Sequence, residues 1–276
     1  MTRIDSHQHF WKYDPGRQTW MTGDMDILKR DYEPQELAVS LGQCGLQGSI
    51  AVQASQTEEE NAYLLGLAEG YPMIRGIVGW VDLQSGSVSE RLSFYRDRKV
   101  VKGFRHVIHD EPDTDFMLRP SFVRGIEQLG HFGYTYDLLI FPRHLPNAIQ
   151  LVSRFPDQVF VVDHLAKPGI REQEIDDWRR LLSGLASFEN VYCKISGMVT
   201  EARWKKWKQE QFIPYLDAVV DLFGTRRILY GSDWPVCTLS ASYGETYGIV
   251  RDYFDRFSPS EQDDFFGGNA TKVYHL

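Results

Sequence analysis

YTYDLLIFPRHLPNAIQLVSRFPDQVFVVDHL, residues 134–165, is a strand, a helix and a second strand written in order. Tyr134 to Ile140 and Val159 to Leu165 are short runs rich in β-branched and aromatic residues, apolar enough to be buried on both faces. Between them Leu145, Ala148, Ile149 and Val152 fall at helical spacing and put one apolar stripe on one face. Phe155-Pro156-Asp157 then stops the helix just before the next run. Buried strands joined by an amphipathic helix imply a right-handed crossover in a parallel sheet.

The same unit repeats in both directions. Earlier apolar runs cover Ile4 to Phe10, Ser49 to Ala54, Ile74 to Val81 and Val100 to Ile108, and later ones cover Val191 to Ile195 and Ile228 to Gly231. Further helical stripes comprise Ile175, Trp178, Leu181, Leu182 and Leu185, and then Ile213, Leu216, Val219, Val220 and Phe223, ended by Gly224. Eight such runs alternating with helices predict an α/β fold of one kind, a single (β/α)8 TIM barrel spanning residues 1–276. An open doubly wound sheet is the other arrangement of such units, but its G-x-G-x-x-G signature is missing, as is a G-x-x-x-x-G-K-[ST] loop. Trp204 to Gln211, WKKWKQEQ, reads as a solvated helix start with aromatic anchors.

Composition narrows the partner. The net charge of −8, with no block of like charges, excludes a basic nucleic-acid footprint and a polybasic membrane patch, which leaves a small molecule. Cys44, Cys193 and Cys237 are too few and too widely spaced for a disulfide framework or a zinc knuckle, so a reducing, cytoplasmic setting is expected. No cationic leader with an apolar core precedes Ile4, and no run long enough to span a membrane follows it.

Barrels place their chemistry at the C-terminal ends of the strands, and this chain concentrates polar groups there. His7 and His9 end the first run, and their i, i+2 spacing sends both rings to one face, where they can hold a divalent metal or an anionic group. Lys102-Gly103-Phe104-Arg105-His106 sets Arg105 and His106 on opposite faces, so one enters the site while the other braces it. Arg105 offers a planar fork suited to a carbonyl or carboxylate, and His106 can donate or accept near neutral pH. His164 ends the sixth run, with Asp163 placed to orient a neighbour. Asp137 lies on the fifth run and Lys194 on the seventh, where Lys194 can meet a substrate oxygen or a carboxylate. Asp233 in GSDWP stands where the last strand must stop, placed to act as metal ligand, general base for water, or both. Trp11, Trp80 and Trp234 follow strand ends, where an indole can stack on a sugar or pack under a loop.

In order along the chain, DSHQHFW (Asp5–Trp11), KGFRH (Lys102–His106), DHLAKP (Asp163–Pro168), CKISG (Cys193–Gly197) and GSDWPV (Gly231–Val236) resemble the amidohydrolase superfamily. The resemblance is to its amidohydrolase-2 type, in particular the sugar lactonase branch that acts on L-fuconolactone and L-rhamnonolactone. It implies a (β/α)8 barrel in which His7, His9, His164 and Asp233 are the candidate metal ligands. Many superfamily members join two metals through a strand-four lysine or glutamate and a strand-five histidine. This chain offers GFRH and Asp137 there, so one divalent metal such as zinc, or none, is expected.

The implied reaction is hydrolysis of a sugar-acid lactone to the free acid, with Asp233, His164 and Arg105 catalytic and His106, Lys194, Trp11 and Trp234 binding substrate. The rival readings are a metal-dependent decarboxylase of a small aromatic acid and a non-catalytic sugar-binding barrel.

Overall fold

The structure, a computed structural model, describes residues 2–276. Eight strands, β1 (Ile4–Gln8), β2 (Gly48–Val52), β3 (Ile74–Gly79), β4 (Val101–His106), β5 (Thr135–Leu138), β6 (Phe160–Val162), β7 (Val191–Ile195) and β8 (Ile228–Tyr230), follow one another around a parallel sheet in chain order. All eight expected runs form strands. Helices α1 (Pro34–Gln43), α2 (Glu58–Gly70), α3 (Val88–Tyr95), α4 (Pro120–Phe132), α5 (Leu145–Val152), α6 (Asp176–Ala186), α7 (Met198–Glu201), α8 (Ile213–Phe223) and α9 (Tyr243–Phe254) lie between or after them, and short helices α10 (Pro259–Asp263) and α11 (Asn269–Val273) close the chain.

Local signals set the helix ends. Pro120 opens α4, where its missing N–H costs nothing, and Gly133 ends it at φ +75°. Ser242 and Glu245 cap α9 reciprocally. The stretch 204–211 anchors its indoles as expected, with Trp204 Nε1 donating to Thr200 O and Trp207 Nε1 to Ser240 O. The helix itself begins later, at Ile213.

Two apolar layers result. The larger lies between sheet and helices and includes Leu37, Leu64, Leu92, Ile126, Leu151, Leu182, Leu216 and Phe254. The smaller fills the barrel with Ile4, Ile50, Val52, Val78, Val161, Tyr192 and Leu229, joined by Ala270, Val273 and Tyr274 from the chain's end. That end closes the bottom of the barrel, where Lys102 at the start of β4 donates to His275 O at 2.8 Å.

The seam between β8 and β1 is stitched by the histidine and aspartate motifs themselves. His9 N–H donates to Trp234 O at 2.7 Å and Asp233 N–H to His7 O at 2.8 Å. Asp5 accepts from Ser232 N–H at 2.9 Å, Ser232 Oγ at 2.6 Å and Tyr243 OH at 3.0 Å. Gly231 keeps the seam tight, because a Cβ there would stand 2.7 Å from the His7 Cβ. Among the described residues no helix is long and apolar enough to cross a membrane, and the three cysteines are free.

Candidate active site

Strand alternation alone would send Asp163 and His164 to opposite faces. Val161 points into the barrel, so Asp163 does too, and His164 should face the helices. Instead β6 stops at Val162 and the chain makes a left-handed turn, with φ near +53°, +56°, +57° and +52° at His164, Leu165, Ala166 and Lys167. This conformation costs roughly 1–2 kcal/mol per non-glycine residue. It is held by Lys167 N–H donating to His164 O at 2.7 Å, by Trp178 Nε1 donating to Leu165 O at 2.7 Å and by full burial of Leu165 and Ala166. The turn brings two successive side chains to one place. Asp233 also has a positive φ, +57°, and its carboxylate stands beside His7 and His9.

His7, His164 and Asp233 converge, with one donor atom from each inside 4.8 Å of the others. The His7 and His164 rings are 4.4 Å apart between centroids. Each imidazole is fixed through its far nitrogen, His7 Nδ1 on Asp163 Oδ1 at 3.2 Å and His164 Nδ1 on Ser196 Oγ at 2.8 Å. Both Nε2 atoms then stand 3.9 Å from Asp233 Oδ1. Burial pushes both histidines well below their ordinary pKa, more strongly than the neighbouring carboxylates raise it, so both rings are neutral. Burial would raise Asp233, but His164, the hydrogen bond from His9 and Lys167 outweigh it and hold it ionised. Two neutral imidazoles with anchored far nitrogens and one carboxylate are the donor set of a catalytic divalent-metal site, so these residues fit such an ion. His9 stands beside this set: its Nε2 lies 3.3 Å from Asp233 Oδ1 and its Nδ1 2.8 Å from Val52 O.

Beneath the three residues lies a sealed ion network. Arg105 Nη1 donates to Asp163 Oδ2 at 3.0 Å and lies 3.3 Å from His7 Nε2, while its Nε has no partner. Lys194 Nζ donates to Asp137 Oδ2 at 2.5 Å and pairs with Asp163 Oδ1 at 3.1 Å. Tyr274 OH completes it from below, 2.9 Å from Asp137 Oδ2. Burial would raise Asp163, but Lys194, His7 and Arg105 together hold it well below the usual carboxylate range.

Of the two neighbours on β4, it is therefore Arg105 that enters the barrel. His106 faces away, with Nε2 donating to Glu111 at 2.7 Å and its ring stacked 4.6 Å from Phe116, so it makes no direct contact with the three convergent residues. The expectation that Lys194 binds substrate is corrected: it is fully buried between two carboxylates. Trp11 and Trp234 are corrected likewise. Trp11 is 2% exposed, its N–H spent on Arg30 O at 2.9 Å, and Trp234 is 5% exposed, packed edge-on to Phe10 and Tyr32.

Sequence reasoning missed Ser196 and Gly197. The signal was the glycine of CKISG, which takes φ +65° and leaves no room for a Cβ, since one would lie 2.7 Å from His164 Nδ1.

The family model described as Amidohydrolase matches residues 4–276. An L-fucono-1,5-lactonase of Burkholderia multivorans is 40% identical over 99% of this chain and 96% of its own length. Another L-fucono-1,5-lactonase, from Burkholderia ambifaria, is 36% identical over the same shares of the two chains. A crystal structure of an amidohydrolase from B. multivorans with bound zinc superposes with a TM-score of 0.94 at 39% identity, covering all of both chains.

Proposed function

The chain belongs to the amidohydrolase family, and from that premise we propose that it hydrolyses a sugar-acid lactone, such as L-fucono-1,5-lactone, to the free acid. The observation that carries this reading is the convergence of His7, His164, Asp233 and Arg105 at the C-terminal mouth of a barrel whose 40%-identical relative is a lactonase.

Hydrolysis needs a base to take a proton from water, donors for the charge that develops on the carbonyl oxygen, and an acid to protonate the departing ring oxygen. Asp233 is ionised and buried at the mouth, so it takes the proton from water and later returns it to the ring oxygen. Arg105, whose Nη1 lies 3.3 Å from His7 Nε2, sets a guanidinium charge beneath the growing oxyanion, worth about 3–4 kcal/mol if it acts like other well-placed donors. His9 flanks the Asp233 carboxylate, its Nε2 3.3 Å from Oδ1. A divalent metal held by His7, His164 and Asp233, zinc by the example of the B. multivorans structure, would supply Lewis-acid polarisation of the lactone carbonyl. The whole chain serves as one barrel domain, the lactone substrate gives it a place in sugar-acid metabolism, and its free cysteines are consistent with a reducing cytoplasm.

A panel of sugar lactones and hydroxybenzoic acids, followed by a pH indicator and by CO₂ release, tests the reading. Acid formed from L-fucono-1,5-lactone is the expected result. Release of CO₂ from an aromatic acid, or binding of lactones without turnover, would overturn it.

A further inference from the structure

Trp80 differs from the other six tryptophans. Trp11, Trp20, Trp178, Trp207 and Trp234 lie against aromatic rings, and Trp204 packs on the main apolar core. Trp80 is partly exposed, and among the described residues it stacks on no aromatic ring and joins neither apolar cluster. A partly exposed indole held in one place offers an apolar ring face to a molecule that enters beside it.

This indole is nevertheless held firmly. Its backbone N–H donates to Asn61 Oδ1 at 2.9 Å and its carbonyl accepts from Asn61 Nδ2 at 2.6 Å. Asn61 is itself buried and bonded to Tyr95 OH at 3.0 Å. At the far end, indole Nε1 donates to His106 Nδ1 at 3.4 Å. The 2.7 Å contact from His106 Nε2 to Glu111 fixes the tautomer that leaves Nδ1 free to accept. Stacking on Phe116 fixes the plane of His106 in turn.

Its position is the mouth. Trp80 directly follows Gly79 at the C-terminal end of β3, the end of the barrel at which the site lies. Gly79 pairs with Phe104 across β3 and β4, so Trp80 stands level with Arg105. Resting on the lactonase reading, we propose that Trp80 is the platform on which the apolar C–H face of the sugar lactone stacks, and that His106 and Glu111 act as positioning residues that set its plane. This explains why the sequence places His106 beside Arg105 although only Arg105 enters the barrel.

Steady-state kinetics on L-fucono-1,5-lactone test the proposal, joined by tryptophan fluorescence during titration with the product acid. Trp80→Ala should raise KM about tenfold while kcat changes less than threefold, with Trp80→Phe between it and the parent. The product acid should change the emission of the parent protein, and that change should vanish in Trp80→Phe. His106→Gln, which can still accept from the indole, should keep KM closer to the parent than His106→Leu does. Circular dichroism confirms folding, and Trp80→Phe reads the effect if the alanine variant does not fold. A parent that opens no sugar lactone would refute the functional reading. A parent that does, with KM within twofold in both Trp80 variants or with the emission change retained in Trp80→Phe, would refute the platform alone.

Discussion

Replacing Gly197 by alanine probes how tightly the fold holds His164. The new Cβ would sit 2.7 Å from His164 Nδ1, 2.9 Å from its Cγ and 3.1 Å from its Cβ, all inside van der Waals contact. Gly197 also has φ +65°, which costs alanine roughly 1–2 kcal/mol before any clash. The imidazole cannot retreat freely, because the left-handed turn fixes its backbone and Ser196 holds its Nδ1 at 2.8 Å. Relief by a shift of the ring breaks that hydrogen bond and moves Nε2 away from Asp233. A displacement near 1 Å should lower kcat/KM on L-fucono-1,5-lactone about a hundredfold. Overpacking adds about 1–3 kcal/mol to the loss of stability.

Gly133→Ala is the matched control, since Gly133 has φ +75° at the end of α4 and open space where a Cβ would go. It should lose the backbone share of stability in urea unfolding and keep its activity. A Gly197→Ala enzyme that retains the parent kcat/KM, or that loses no more stability than Gly133→Ala, would refute the tight placement of His164.

Lys194→Met leaves Asp137 and Asp163 buried without their shared cation and should cost about 3–5 kcal/mol in urea unfolding, part of it recovered by adding Asp137→Asn. Arg105→Met should lower kcat/KM about 10²- to 10³-fold in the lactone assay. Chelation should lower activity and zinc restore it, with His164→Ala retaining less zinc by elemental analysis. His109 is pushed down to about 3, first by burial and then by Lys167 and Arg105. The unfolded chain therefore takes up a proton below about pH 6.5 that the folded chain refuses, so stability is full above that pH and falls by about 1.4 kcal/mol per unit below it. Between pH 7 and pH 5, His109→Gln should lose about 2 kcal/mol less than the parent in urea unfolding.

The barrel was legible because its strands are buried on both faces and leave unbroken apolar runs between helix stops. Their ends were less so. Val159 to Leu165 reads as one run, but β6 stops at Val162 because the chain turns left-handed, and no glycine announces that turn. The convergence of His7, His164 and Asp233 was visible as polar residues at strand ends, whereas their depth was not. Lys194 and Asp233 look alike as strand-end charges, yet one is sealed above Tyr274 and the other lies at the mouth. Trp11, Trp80 and Trp234 likewise share a position in sequence. Only the loop bearing Tyr32, which packs on Trp11 and Trp234, separates covered indoles from the open one.

Asp233→Asn keeps the size of the side chain at the centre of the site and removes the base. Stopped-flow measurement of acid release from L-fucono-1,5-lactone, on protein shown to be folded, should find kcat reduced about a thousandfold or more with KM little changed. A variant that opens the lactone at the parent rate would contradict the role of Asp233 and the mechanism built on it.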